Sequence, residues 1–304
     1  MPTRDRVALT ALLACAAVAG GNGVGIRFSN QELAPLWGAS IRFGAAACVL
    51  FLFVLALRLE LPRGRALKGA LLFGILNFTF GFGVFYVALL EIQAGLGHIL
   101  LALVPLITLL LAVAWGQERL SPTAVLAVIM AVAGVAVMSQ APLREVPAWA
   151  LLAGLVSAIS IAQAAVVVRR FPRVHPVTMN AIGMAAATVA LLSASMLVGE
   201  SWTVPTDVST VVAVVYLILA GSVLVHLLYL VVLRRWHASR SAYVFVLSPF
   251  VAVALSAWLD DEPVGVGLVL GGLLVLAAVY LGALKPAERH ARKQPVTSER
   301  PSPR

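Results

Sequence analysis

The chain has 304 residues, of which 61% are hydrophobic and 12% charged, with 22 Lys and Arg against 13 Asp and Glu. Soluble domains are about 25% charged, so the composition excludes an ordinary water-soluble protein. The formal net charge of +9 therefore has to be understood on a membrane protein.

Apolar windows of about twenty residues, long enough to cross a roughly 30 Å hydrocarbon layer as helices, recur along the sequence. The first core covers 7–26. Its basic start and "LLAC" ending at Cys15 imitate a lipoprotein signal, but the apolar run continues to Ile26, which suits a membrane helix better. Within it, "GGNGVG" (20–25) holds Asn22 and lacks the strand–turn–helix setting of a nucleotide-binding loop; Gly21 and Gly25 make a GxxxG packing face instead. The second core, 35–57, carries Trp37 near one mouth and Arg42 roughly 10 Å inside at helical rise. The third, 69–89, lines up Gly74, Asn77 and Gly81 on one stripe and contains Tyr86. The fourth, 95–115, holds His98 and Pro105 and runs toward Glu118, followed by a fifth at 122–139.

The sixth core, 148–168, carries Gln163 and the seventh, 177–197, carries Asn180. The eighth, 209–231, puts Ser222, His226 and Tyr229 on one face at i, i+4 and i+7. The ninth, 241–259, contains Tyr243 and Pro249 and leads to Glu262, and the tenth, 264–284, has a second GxxxG pair, Gly267 and Gly271. From Lys285 the basic tail reads as disordered. Continuous apolarity rather than alternation predicts helices and not a barrel. The expected fold is an all-α membrane protein of ten transmembrane helices, whose loops of about five to twelve residues leave no room for a soluble domain.

The cationic residues alternate from loop to loop. One set of segments holds Arg4, Arg6, Arg58, Arg63, Arg65, Lys68, Arg119, Arg169, Arg170, Arg173, Arg234, Arg235, Arg240 and the tail, whereas the opposite loops hold only Arg144. The positive-inside rule then places both termini in the cytoplasm. Acidic residues lean outward, at Glu32, Glu91, Glu145, Glu200, Asp207, Asp260, Asp261 and Glu262. The basic tail is explained by topology and anionic lipid headgroups rather than by nucleic acid. Cys15 and Cys48 form no CxxC motif and are expected to be small packing residues.

Two stretches repeat. "VPLITLLLAVAWGQE" (104–118) and "LSPFVAVALSAWLDDE" (247–262) align Pro105 with Pro249 and Glu118 with Glu262, each 144 positions apart (249 − 105 and 262 − 118). Five cores precede residue 146 and five follow, and an odd number per half turns the halves upside down relative to each other. That is the inverted-repeat plan of many secondary transporters. The prolines are expected to shape or kink their helices, and the carboxylates to sit at opposite membrane edges as structural or gating groups.

These stretches, with "IRF" at 41–43, "HILLALVPLITLLLAVAWGQERLSPTAVLAVIMAVAGVAVM" at 98–138 and "SAYVFVLSPFVAVALSAWLDDEPVGVGLVLGGLLVLAAVYLG" at 241–282, resemble the EamA-like members of the drug/metabolite transporter superfamily. The resemblance spans roughly 7–284. It implies a first five-helix repeat over 1–145, a second over 146–284, and a cytoplasmic tail over 285–304. It implies transport of a small metabolite, amino acid or drug across the cytoplasmic membrane. The family's small-residue turn is kept at Gly116–Glu118 but becomes "DDE" in the second half, which makes one end more acidic.

Polar groups inside the spans are costly in hydrocarbon and are turned inward. The substrate-binding candidates are Asn22, Arg42, Asn77, Tyr86, His98, Gln163, Asn180, His226, Tyr229 and Tyr243. The amides serve equally well as interhelical hydrogen-bonding groups, Arg42 as a snorkelling or paired residue, and the tyrosines as packing. Arg27 and Glu32 read as an interface pair. An intramembrane serine protease using Ser222 and His226 lacks the nucleophile's glycine context and leaves the repeat unexplained. HExxH, paired central carboxylates and a phosphate loop with Lys are absent. A non-transporting membrane receptor is the alternative. No metal or cofactor is expected, and the partners are a small-molecule substrate and the bilayer, with a homodimer among the candidate assemblies. With no Asp or Glu in the central third of any core, exchange or facilitated diffusion is expected ahead of proton coupling, with His98 and His226 as the fallback proton carriers.

Overall fold

A computed structural model describes residues 3–116, 122–138, 146–235, 244–261 and 264–281. All regular structure among them is helical. We number the helices α1 (Thr3–Ser29), α2 (Pro35–Ala56), α3 (Arg65–Ala88), α4 (Ala94–Ala114), α5 (Pro122–Met138), α6 (Ala148–Val168) and α7 (Pro176–Val198). Helix α8 joins Val208–Ile218, Leu219–Leu224 and Val225–Arg235, and α9 (Val244–Leu259) and α10 (Val266–Val279) complete the series. Seven segments are long and apolar enough to cross a membrane, and three more, Val125–Gly134, Leu247–Leu259 and Val266–Val279, are apolar but shorter.

Local chemistry sets the boundaries. Helices α2 and α7 open on Pro35 and Pro176 in their first turns, where the missing N–H costs nothing. Helix α7 stops at Gly199, whose φ of +72° closes a left-handed C-cap. Helix α4 is interrupted at Ala102–Leu103, directly before Pro105 in the first turn of Val104–Ala114. Proline lacks a donor and its ring crowds the carbonyl four residues back, here Leu101. Its counterpart Pro249 lies inside α9. The two prolines are thus equivalent in sequence and different in local effect. Their carboxylate counterparts, Glu118 and Glu262, fall outside the described residues, as does Tyr243.

Two helices contain wide π turns, Ile75–Gly83 in α3 and Leu219–Leu224 in α8. Their starts are 144 residues apart (219 − 75), the same offset that relates the two prolines. Packing follows the same exchange. Helix α1 lies on α8 and α9, α6 lies on α3 and α4, and α2 pairs with α7 as α5 pairs with α10. One close approach is glycine on glycine: a Cβ added at Gly183 would stand 3.1 Å from the Gly74 Cα. Gly21 and Gly25 likewise admit α8, since Cβ atoms there would meet the Tyr216 ring at 3.0 Å and Leu217 at 3.1 Å. Gly271 backs onto Gly134 of α5.

Outward faces remain apolar. Leu52, Val132, Leu152 and Val189 are 60–67% exposed, an arrangement suited to lipid and ruinous in water. Between α4, α9 and α10 an apolar cleft of about 210 Å³ is lined by Ile99, Pro249, Phe250, Val253 and Leu268 among others.

Candidate functional site

Arg42 organises the buried polar chemistry. It sits in the second turn of α2 with 2% of its surface exposed. Its Nε donates to Ser222 Oγ at 2.9 Å, and its Nη2 donates to the Gly221 carbonyl at 3.0 Å and to Asn22 Oδ1 at 3.3 Å. Asn22 Nδ2 donates to the same Gly221 carbonyl at 3.4 Å. Three helices, α1, α2 and α8, therefore meet at one guanidinium. The acceptors come from a π turn, where the departure from regular i→i−4 bonding lets a backbone carbonyl take side-chain donors. Gly221 is small for a reason: a Cβ there would lie 3.1 Å from Asn22 Cγ and 3.4 Å from Arg42 Nη2.

The guanidinium is only partly satisfied. Nη1 has no hydrogen-bond partner and is fully buried. The Tyr86 hydroxyl, also buried, stands beside it, near enough to interact with the guanidinium but without a well-formed hydrogen bond. Phe43 and Phe82 present their rings to the cation at 5.2 and 5.5 Å from their centroids. Phe78 packs on Phe43, Phe82 and the His226 ring. His226 Nδ1 faces the Ser222 carbonyl at 2.5 Å. Arg27 Nε pairs with Asp260 Oδ2 at 2.5 Å, and no hydrogen bond or ion pair links Arg42 to a described carboxylate.

The other sequence candidates divide. His98 is buried on α4, with Nε2 2.9 Å from the Ala19 carbonyl and Nδ1 3.1 Å from the Ala94 carbonyl. It also stacks edge-on against Phe85. Its ring seats against Gly23, where a Cβ would come within 2.7 Å. Asn77 is buried in the α3 π turn. Asn180 spends its amide nitrogen on the Pro176 carbonyl at 2.9 Å and leaves Oδ1 without a partner. Gln163 is half-buried on α6 and takes no part in the Arg42 cluster. Tyr229 packs with Ala11, Leu12, Cys15 and Val232 instead of joining Ser222. Three residues of the cluster, Gly221, Phe78 and Phe82, carry no mark in the sequence. Tyr216 donates to the Val18 carbonyl at 2.7 Å.

One face of the bundle is fastened by its loops. Glu200 accepts from the Leu36 and Trp37 amides at 3.1 and 2.9 Å and from Ser195 Oγ at 2.7 Å. Glu32 accepts from the amides of Thr206 and Asp207 at 3.0 and 2.9 Å and from Thr206 Oγ1 at 2.8 Å. These backbone donors hold the Glu32 carboxyl below its ordinary value. Trp37 and Trp202 stack with centroids 5.0 Å apart. The expected pairing of Arg27 with Glu32 is corrected here. Arg27 reaches Asp260 and the Ile92 carbonyl, because α1 ends at Ser29 and the following turn carries Glu32 over to the start of α8. Among the described residues no cluster of His, Cys, Asp and Glu could hold a metal ion.

The family model described as "EamA-like transporter family" matches this chain twice, over residues 6–140 and 148–283. The chain belongs to the EamA-like transporter family. It is 30% identical over 269 residues to the "Uncharacterized inner membrane transporter YedA" of Escherichia coli (strain K12), covering 86% of this chain and 88% of that one. It is 26% identical to the "Uncharacterized transporter YvbV" of Bacillus subtilis (strain 168), covering 85% and 87%. A solved structure described as "Crystal structure of protein" superposes with a TM-score of 0.64 at 18% identity over 93% of this chain, which speaks to the fold. The EamA-like chain is a multi-pass membrane protein of a transporter family.

Proposed function

We propose that this protein is a secondary transporter that moves a small metabolite, amino acid or drug-like solute across the cytoplasmic membrane by alternating access, as an exporter or exchanger. In this reading all ten helices span the bilayer and both termini are cytoplasmic. Residues 1–145 and 146–284 form two inverted repeats, and 285–304 is a basic cytoplasmic tail. The observation that carries it is the Arg42 cluster, a sealed polar centre joining helices of both repeats beneath a fastened loop face. A bilayer-embedded charge facing the bundle interior marks a solute pathway by default, and in inverted-repeat transporters the site lies at the repeat interface.

Asn22, Arg42, Tyr86 and His226 form the centre of the site, with Asn77 beside it. His98 lies one layer out, on the path between α1 and α4. The Glu32 and Glu200 side is the outer gate, closed in this conformation. Exchange or facilitated diffusion is favoured ahead of tight proton coupling.

The test is counterflow in proteoliposomes, with candidate solutes chosen from a toxicity screen of deletion and overexpression strains. Uptake of labelled solute driven by the same unlabelled solute inside supports the reading. Saturable binding without exchange for every solute that binds would instead make the protein a membrane receptor.

A further inference from the structure

We propose that Arg42 is the anchor for a negative charge on the transported solute, and that the solute is a small organic monocarboxylate with an apolar body and no ammonium group. The inference deepens the transporter reading and rests on it for how the solute arrives; the binding chemistry stands on its own.

Charge comes first. A cation buried to 2% exposure pays a large desolvation penalty unless a partner compensates it. Ser222, Gly221 and Asn22 supply dipoles but no negative charge, and no described carboxylate pairs with Arg42. A ligand bringing one negative charge would neutralise the site.

Donor geometry comes second. Guanidinium has five N–H donors in a fixed plane. The Nε and Nη2 bonds orient that plane and leave Nη1 without a well-formed bond, facing the Tyr86 hydroxyl. The Tyr86 hydroxyl beside it can accept from the guanidinium only through its oxygen, so its own O–H is a further donor. One carboxylate oxygen fits on Nη1, with Tyr86 donating to it or to its twin.

Selectivity follows from what else lines the place. A single arginine balances one charge, which disfavours phosphate dianions and nucleotide diphosphates. Phe43, Phe78 and Phe82 pack on one another around the guanidinium in this closed conformation, so the surroundings that opening would present to a solute are aromatic and apolar. The ammonium of a zwitterion would be repelled by the Arg42 cation, and none of the described residues near Arg42 brings a carboxylate to offset that repulsion.

The experiment uses full-length protein in nanodiscs and a matched probe series: 3-phenylpropanoate, 3-phenylpropan-1-ol, phenethylamine and phenylalanine. Equilibrium binding is measured for the wild type, Arg42→Gln, Arg42→Lys and Tyr86→Phe, and counterflow of the same probes follows in proteoliposomes. The expected result is saturable binding of phenylpropanoate, weaker or absent binding of the other three, and a loss of about tenfold or more in Arg42→Gln, as for a hydrogen bond to a charged group. A smaller loss is expected in Tyr86→Phe. If Arg42→Gln does not give monodisperse protein, Arg42→Lys and Tyr86→Phe decide, and both must weaken the carboxylate more than the alcohol. The proposal is overturned if the wild type does not bind phenylpropanoate, if the alcohol or phenylalanine binds as tightly, if chloride competes as strongly, or if the variants bind unchanged. In those cases counterflow of any solute still upholds the transporter reading, whereas tight Arg42-dependent binding without exchange overturns transport and leaves the anion site standing.

Discussion

Glu32 and Glu200 are crossed caps. Glu32, in the turn after α1, accepts the amides of Thr206 and Asp207 at the start of α8. Glu200, in the turn after α7, accepts those of Leu36 and Trp37 at the start of α2. Each carboxylate sits on the positive end of a helix from the other half, where a negative charge is favoured, and Trp37 of one half stacks on Trp202 of the other. The two halves are thus joined on this face by contacts that each need both loops in place.

Removing one cap should loosen that face. Glu200→Ala leaves the Leu36 and Trp37 amides without their acceptor and is expected to cost about 1–2 kcal/mol, the upper range for lost N-caps. The readout is labelling of Ser29→Cys, made in a background lacking Cys15 and Cys48, by a membrane-impermeant thiol reagent. Ser29 is fully buried under this face, so Glu200→Ala should raise its labelling rate. An unchanged rate would mean that the loops are static packing.

Acid should act on Glu32 in a defined direction. Its folded-state pKa lies below the ordinary 4.5 because backbone N–H groups stabilise the carboxylate. The stabilisation is fully present above the unfolded value and is lost as pH falls through the depressed folded value. The melting-temperature difference between the wild type and Glu32→Gln should therefore be constant above about pH 4.5 and shrink below it. A difference that grows on acidification would refute this assignment.

Two glycines should differ in what they disturb. Gly74→Ala pushes a methyl against the Gly183 backbone, 2.7 Å from its carbonyl carbon, which cannot swing aside. A loss of about 1–3 kcal/mol is expected from overpacking. Gly221→Ala meets side-chain atoms of Asn22 and Arg42, which can yield, so its effect should fall on solute binding more than on melting temperature. Melting curves and binding isotherms on the two variants separate these outcomes.

The ion pair on the same face should be worth little. Arg27 and Asp260 are 27% and 15% exposed, and the Ile92 carbonyl still holds Arg27 when the carboxylate is gone. Asp260→Asn is expected to cost about 1 kcal/mol or less, and less again in high salt. A larger, salt-independent loss in thermal unfolding would show a fully desolvated pair.

Much of the architecture was legible because hydrocarbon imposes it: continuous apolar windows can only be helices, and the Pro105/Pro249 offset announced the repeat. The proline effect was legible only in part, since Pro105 breaks α4 while Pro249 stays inside α9. The π turns at Ile75 and Leu219 left no compositional trace, because they depend on which neighbours claim the backbone carbonyls. Arg42 stood out as a charge in a span, but its partners Asn22 and Ser222 lie 20 and 180 positions away, beyond any periodicity argument. Arg27 and Glu32 look paired in sequence because they are close along the chain. The end of α1 at Ser29 separates them, and each finds a partner that only the folded chain supplies.

The most direct measurement of alternating access is reversible locking of the stacked pair. Trp37→Cys/Trp202→Cys protein, bridged by a short bis-methanethiosulfonate reagent, should lose counterflow and regain it on reduction, with the unbridged protein as reference. Counterflow that continues at the same rate through fully bridged protein would contradict the claim that this face opens during transport.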